Sequence, residues 1–235
     1  MDRLTRKELK TDKFAAEVGQ TVAFLEEHRR EATILGIALV VLAVVGAGLY
    51  FYFSRQHVER QALLYEALQD YNGTIGPQNP FTESFATKEE KQKAVEASFR
   101  KLTDGYPGSD EAMVAHIYLG IMAADEGRSE EAEKQLKFVV DSGDQPYASQ
   151  AALSLATLYG GTGRVADGEK LLRNLIEHPT ILVSKEQATV ALAELFMDSR
   201  PDEARKLLEP LRGERSAVSR AVLTLLGRLE GAPTP

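Results

Sequence analysis

Of 235 residues, 28 are Lys or Arg and 35 are Asp or Glu, a net charge of −7, and none is Cys. An acidic chain carries no electrostatic footprint for a phosphate backbone, which excludes nucleic acid as an expected ligand. The lack of Cys excludes thiol chemistry and thiolate metal sites but leaves the compartment open, because an oxidising one permits disulfides without requiring them.

Residues 1–32 form a polar leading segment in which Phe14, Val18, Val22 and Leu25 fall on one face of a helix. That face suits a helix lying on a membrane surface or a docking partner, and equally a plain helical run-up to an apolar span. Next comes Thr33–Phe53, TILGIALVVLAVVGAGLYFYF, without a charge, an Asn or a Gln. At about 1.5 Å per residue such a helix covers the roughly 30 Å hydrocarbon core of a bilayer. Arg29, Arg30 and Glu31 close it on one side and Arg55 and His57 on the other, with Tyr50, Phe51, Tyr52 and Phe53 placed as an interfacial aromatic belt. A cleaved signal peptide would use Val45-Gly46-Ala47, but the apolar run exceeds a roughly 7–15-residue h-region and the leader is far longer than an n-region. One uncleaved transmembrane helix is therefore expected.

Orientation follows from the basic residues near its ends. Arg3, Arg6, Lys7, Lys10, Lys13, Arg29 and Arg30 precede the span, against Arg55 and Arg60 over a comparable distance after it. Lys and Arg stay cytoplasmic, so the amino end is expected inside and the large carboxyl part outside. In a bacterium these are the two sides of the inner membrane, with the carboxyl part in the periplasm. Ala32, Gly36, Ala43 and Ala47 make a loose small-residue stripe, common in any membrane helix and compatible with close approach of a second one.

After the span, Arg55–Tyr71 continues as helix with Leu63, Leu64, Ala67, Leu68 and Tyr71 as its apolar side. Asn72-Gly73 breaks it, and Gly73–Phe85, with two Gly and two Pro, reads as a loop. Thr87 and Glu90 have capping-box spacing and open a helix to about Asp104. From there the chain repeats itself at 36 residues: Ala132, Gly168 and Ala204; Leu136, Leu172 and Leu208; Val139, Leu175 and Leu211; Gly120, Ala156 and Leu192. Gly127 and Gly163 mark turns, with Ser199 in the third place. Such self-similarity means a stack of supersecondary units. First helices are expected near Asp110–Glu126, Ala148–Gly160 and Ser184–Asp198, and second helices near Ser129–Asp141, Val165–Glu177 and Pro201–Leu211. Small residues fall where two helices cross closely.

These units resemble tetratricopeptide repeats. Gly120 and Ala132 supply the small residues twelve apart, Tyr159 stands at a first-helix Tyr position, and Pro107 at a repeat-ending Pro, with Phe99 and Leu102 before it. The period departs from the usual roughly 34, and His116, Ala152 and Ala188 occupy the first-helix Trp position. The resemblance implies an all-α fold: an N-terminal transmembrane helix, then a tetratricopeptide-repeat-like α-solenoid with a capping helix. Its segments are 1–32 cytoplasmic, 33–53 in the membrane, 54–107 a divergent first pair with a long loop, 108–214 three repeats, and 215–235 the capping helix Ser216–Glu230 and tail. The layout over Phe14–Leu229 also resembles the YfgM-like proteins, ancillary subunits of the bacterial Sec translocon, in TVAFLEEHRRE before the span, YFYFSRQHVERQ leaving it, and the repeats beyond. That resemblance implies partners among translocon subunits, exported chains and periplasmic chaperones.

No catalytic constellation is present. His28, His57, His116 and His178 lack metal-ligand spacing. Gly160-Gly161-Thr162-Gly163-Arg164 lacks the Gly-Lys-Ser/Thr ending of a phosphate loop and follows no strand, so it reads as an interhelical turn. Neither an enzyme, a metal nor a cofactor is expected. Protein binding remains, and repeat register places Val114, Ile117, Ile121, Leu153, Thr157, Phe196 and Met197 along the concave face. Either they line an open apolar groove for an unfolded segment or amphipathic helix, or the closing helix or the Gly73–Phe85 loop covers them as core. A scaffold for another envelope assembly, such as division or outer-membrane biogenesis, uses the same features.

Overall fold

Helix α1 runs unbroken from Arg29 to Asn72 in the computed structural model, which describes residues 29–77, 82–213 and 217–231. The expected amphipathic face Phe14–Leu25 lies outside the described residues. The chain divides into two units, Met1–Val58 and Glu59–Pro235. In the first, none of the apolar window of α1 is buried in protein, and α1 is the one helix among the described residues long and apolar enough to cross a membrane. Its Thr33 hydroxyl is satisfied within the helix, donating to the Arg29 carbonyl at 2.7 Å. At the far boundary, Tyr50 and Phe51 meet edge to face, as do Tyr52 and Phe53.

The second unit begins on the last turns of α1. Ala67 is fully buried with Val95, Phe99, Leu102, Ala115 and Leu119, and Leu63, Leu64, Leu68 and Tyr71 pack around them. The Gly73–Phe85 stretch is more than the expected loop: β1 (Thr74–Ile75) and β2 (Ser84–Phe85) pair in parallel, Thr74 opposite Ser84 and Ile75 opposite Phe85. Gly73 makes this closure possible. A Cβ there would lie 2.6 Å from the Phe85 ring and 3.0 Å from the Asp70 and Glu83 carbonyls, and its own carbonyl accepts from Lys91 Nζ at 2.6 Å. Helix α2 (Lys88–Gly105) starts at the cap the spacing predicts, with the Glu90 amide donating to Thr87 Oγ1 at 3.1 Å. The Glu90 carboxylate reaches back to the Ala86 amide, one residue before the usual capping-box partner.

Three helix–turn–helix units come next: α3 (Asp110–Asp125) with α4 (Ser129–Ser142), α5 (Gln145–Gly161) with α6 (Val165–Glu177), and α7 (Lys185–Phe196) with α8 (Pro201–Leu208). Each helix packs on the next, and first helices of successive units also touch. The small residues sit at the crossings. A Cβ on Gly120 would lie 2.7 Å from Leu136 Cγ, and one on Gly168 3.0 Å from the Ala156 carbonyl. Gly127 and Gly163 take φ of +75° and +76°, the left-handed residue that ends a helix in a Schellman motif. The bonds are complete: Arg128 N–H to the Ala123 carbonyl and Arg164 N–H to the Tyr159 carbonyl, both 2.8 Å. Ser199 cannot take that backbone cheaply, so the third turn is one residue tighter, with Arg200 N–H bonded to the Phe196 carbonyl at 2.8 Å.

Three boundaries differ from the periodicity. Helix α5 starts at Gln145 rather than Ala148, because Pro146 is tolerated in a first turn. Helix α8 stops at Leu208 and tightens into a 3₁₀ turn, Glu209–Leu211, where Pro210 has no N–H to continue the ladder. The closing helix α9 runs Ser219–Gly231 and buries Val222, Leu225, Leu226 and Leu229 against the last unit.

Candidate interaction surface

The seven residues placed on the concave face by register have three different environments. Phe196 is fully buried and Ile117 is 6% exposed, so both are core. Phe196 and Met197 belong to the cluster that contains Val222, Leu225, Leu226 and Leu229 of α9, so the closing helix takes the third unit's face into the core. Val114, Ile121 and Leu153 are half-buried and Thr157 is exposed. The open part of the face therefore lies on α3 and α5.

There the structure forms a cleft of about 430 Å³. Ile121 and Ala124 of α3, Leu136 of α4 and Leu158 of α5 give it apolar walls, and Ser154, Thr157 and Thr162 add hydroxyls. Thr157 donates its hydroxyl to the Leu153 carbonyl at 3.2 Å and Thr162 to the Leu158 carbonyl at 2.9 Å, so both hydroxyls are engaged within their own helix. Asp125 is its single charged lining residue and lies also on a second cleft, with Tyr71, Ile75 and Met122. The Tyr71 hydroxyl has its pKa raised by burial, then by Tyr118 and Asp125. Ile121 and Thr157, which register puts on the concave face, both line this cleft, while Asp125, on the next turn of α3, stands out only from the geometry of the cleft.

The opposite character holds along the second helices. Arg128, Arg164 and Arg200 recur at 36 residues at the starts of α4, α6 and α8, a periodic signal that hydrophobic spacing does not register. Each pairs three residues on, with Glu131, Asp167 and Glu203. Arg164 also reaches back to Glu133 at 2.7 Å and Arg200 to Glu169 at 2.5 Å, tying each unit to the one before. Their guanidinium groups lie over the Tyr159 and Phe196 rings, 3.9 and 3.5 Å from the centroids. This ladder joins repeats and carries no chemistry.

The Glu169 carboxyl is held below its usual value of 4.5, first by the hydrogen bond from Arg200 and also by Arg173, against the opposing effect of desolvation. A depressed carboxylate pKa stabilises the fold above the unfolded value, and that stabilisation is lost as pH falls through the folded one. The melting temperature of Glu169→Gln is thus expected to lie below that of the native chain at about pH 7, with the gap closing towards about pH 3. A gap that does not narrow would remove the Arg200–Glu169 pair as its cause.

His116 sits where a repeat would hold its Trp. Its Nδ1 is 2.6 Å from Gln135 Oε1 and its ring packs on Phe138, as a helix-packing residue rather than a ligand. Among the described residues, no group of three or more His, Asp or Glu could hold a metal ion. The glycines of Gly160–Arg164 end α5 and make the turn into α6.

Helix pairs repeating at 36 residues, crossed through Gly and Ala and closed by a last helix, define an α-solenoid that begins on the outer turns of an apolar helix. The chain belongs to the family of tetratricopeptide repeat-like domains, whose model matches residues 23–174. The matched region takes in the apolar segment, α2 to α5 and most of α6. No curated protein and no solved structure matches the chain. Domains of this class are generally protein–protein interaction scaffolds, not enzymes.

Proposed function

We propose that this protein is a membrane-anchored interaction module, held by Thr33–Phe53 with its amino end in the cytoplasm and its repeats in the bacterial periplasm. The observation that carries the reading is the continuity of α1, which passes from an unburied apolar run into the core of the first helical pair without a break. A tethered solenoid needs no catalytic group; it presents a face to chains near the membrane. The likeness in layout to the YfgM-like proteins makes the Sec translocon the first partner to test, with exported chains and periplasmic chaperones as what the repeats would meet.

Full-length protein in mild detergent, compared with a version carrying a foreign span, separates the possibilities by mass spectrometry of what co-purifies. Translocon subunits that disappear with the foreign span support the reading. A different envelope complex retained with either span would replace it with a repeat-domain scaffold for that assembly. Orientation is read by introduced thiols, since the native chain has none. In intact cells with a permeabilised outer membrane, Ser142→Cys is expected to react with an impermeant maleimide and Thr11→Cys to remain unlabelled. Labelling at position 11 would reverse the topology.

A further inference from the structure

The cleft between α3 and α5 has a chemistry of its own. Its walls are Ile121, Ala124, Leu136 and Leu158, and its single charged lining residue is Asp125. Asp125 is exposed at the rim of the cleft and, among the described residues, has no ion-pair or hydrogen-bond partner. Its neighbours in sequence differ: Glu126 accepts from Gln92 and Arg128. Asp125 is the last residue of α3, where the helix already presents its negative end, and Gly161 and Thr162 bring the end of α5 to the same cleft. Two helix carboxyl ends and an unpaired carboxylate beside an apolar space make a site for a cation attached to something greasy. The net charge of −7 belongs to the part of the chain after the span, since residues 1–32 carry equal numbers of each sign, so approach of a basic segment is favoured over long range as well.

We propose that this cleft takes a polypeptide segment in which an Arg or Lys stands beside bulky aliphatic residues, the aliphatic side chain entering between α3 and α5 and the cation resting on Asp125. The inference rests on the proposed reading of the protein as an interaction module and names what the module selects. A neutral apolar segment would leave Asp125 beside a dry surface without a partner, and an acidic one would be repelled by it.

The test uses the full-length chain in nanodiscs of zwitterionic lipid, which give basic peptides no anionic surface, with empty nanodiscs subtracted. The probes are fluorescein-labelled nonapeptides with Leu-Arg-Leu, Leu-Gln-Leu or Leu-Glu-Leu at the centre of a Gly/Ser background, read by anisotropy. The Arg peptide is expected to bind tightest and the Glu peptide weakest, with roughly fivefold between Arg and Gln, the size of one solvent-accessible charge pair. Asp125→Asn should abolish that difference and leave the Gln peptide unchanged, Asp125→Lys should invert the order, and high salt should flatten it. Melting curves establish that the variants are folded; Thr157→Arg, an exposed position in the cleft, should block all three peptides.

Equal binding of Arg and Gln peptides to the native chain, or a preference that survives Asp125→Asn, overturns the proposal. A change in the mass of the chain from monomer to dimer on Asp125→Asn, with peptide binding unmoved, also overturns it and gives the cleft to a second copy. A chain that binds none of the peptides yet still co-purifies with membrane partners loses this inference and keeps the proposed function. One that shows the Asp125-dependent preference but retains no membrane partner keeps the cleft's selectivity and loses the function.

Discussion

Phe196→Ala is expected to lower the stability of the repeat domain by about 3–5 kcal/mol, the cost of emptying a fully buried aromatic site. The side chain has no exposed surface and shares its cluster with Leu192, Ala193, Leu208, Val222, Leu225 and Leu226. It is also the ring beneath Arg200, whose guanidinium stacks 3.5 Å from its centroid while bonding Glu169 of the preceding unit. Truncation therefore leaves a cavity and loosens the Arg200 link between units. Units of a solenoid contact only their neighbours, so the loss should show first as an earlier transition of the α7–α9 end in urea titrations followed by circular dichroism. The comparison is Thr157→Ala, exposed and bonded only to its own helix, for which a change within about 0.5 kcal/mol is expected. If Phe196→Ala instead left the unfolding midpoint in place and removed partner binding, Phe196 would be a groove residue and the assignment of α9 as its cover would fall.

The contrast between these two positions shows what a repeat register can and cannot give. Spacing places both on first helices of successive units, and the helices form where the spacing puts them, because a Gly or Ala every 36 residues permits close crossing and the Leu and Val positions fill it. Register fixes a residue's direction on its own helix. Whether that direction meets solvent depends on what the rest of the chain lays across it, and α9 covers the third unit but not the cleft between the first two. The apolar run of α1 is legible because 21 uncharged residues are their own signal. The β1–β2 pairing is not, since it depends on Gly73 lying under Phe85, a contact between residues twelve apart across two prolines. The Arg128, Arg164 and Arg200 ladder is written in the same 36-residue interval as the apolar positions, and hydrophobic periodicity alone passes over it. Asp125 has no periodic counterpart at all: Gly161 and Met197 stand at the equivalent places, and only the geometry of the cleft distinguishes it.

Arg60→Leu is expected to cost roughly 2 kcal/mol, somewhat under the 3–5 of a fully buried pair because Arg60 keeps part of its surface in water. Its Nε donates to Glu111 Oε2 at 3.1 Å, with the two side chains 20% and 8% exposed, and its guanidinium lies over the Tyr106 ring. Glu111 stands in the first turn of α3, behind the Ser109 cap, where the helix end favours a negative charge but does not replace a guanidinium. Removing the cation alone leaves a carboxylate largely out of water, which is why the single change should cost more than the pair is worth. Arg60→Leu combined with Glu111→Leu is accordingly expected to recover most of the loss, and the four chains of the cycle give the coupling directly from urea midpoints. If Arg60→Leu costs less than about 0.5 kcal/mol, the pair behaves as a solvated surface bridge and the joint rests on the apolar cluster around Ala67 and Phe99. The position matters for function because Arg60 lies on the same helix as the apolar run, on the turns that serve as the first helix of the first pair. On the proposed function, a module that received segments at α3 and α5 would need the Arg60–Glu111 pair to hold the last turns of α1 on α3. Loss of Arg60 should therefore weaken the co-purification of partners that hold the repeats and leave those that hold the span, a split that a uniformly destabilised domain would not produce.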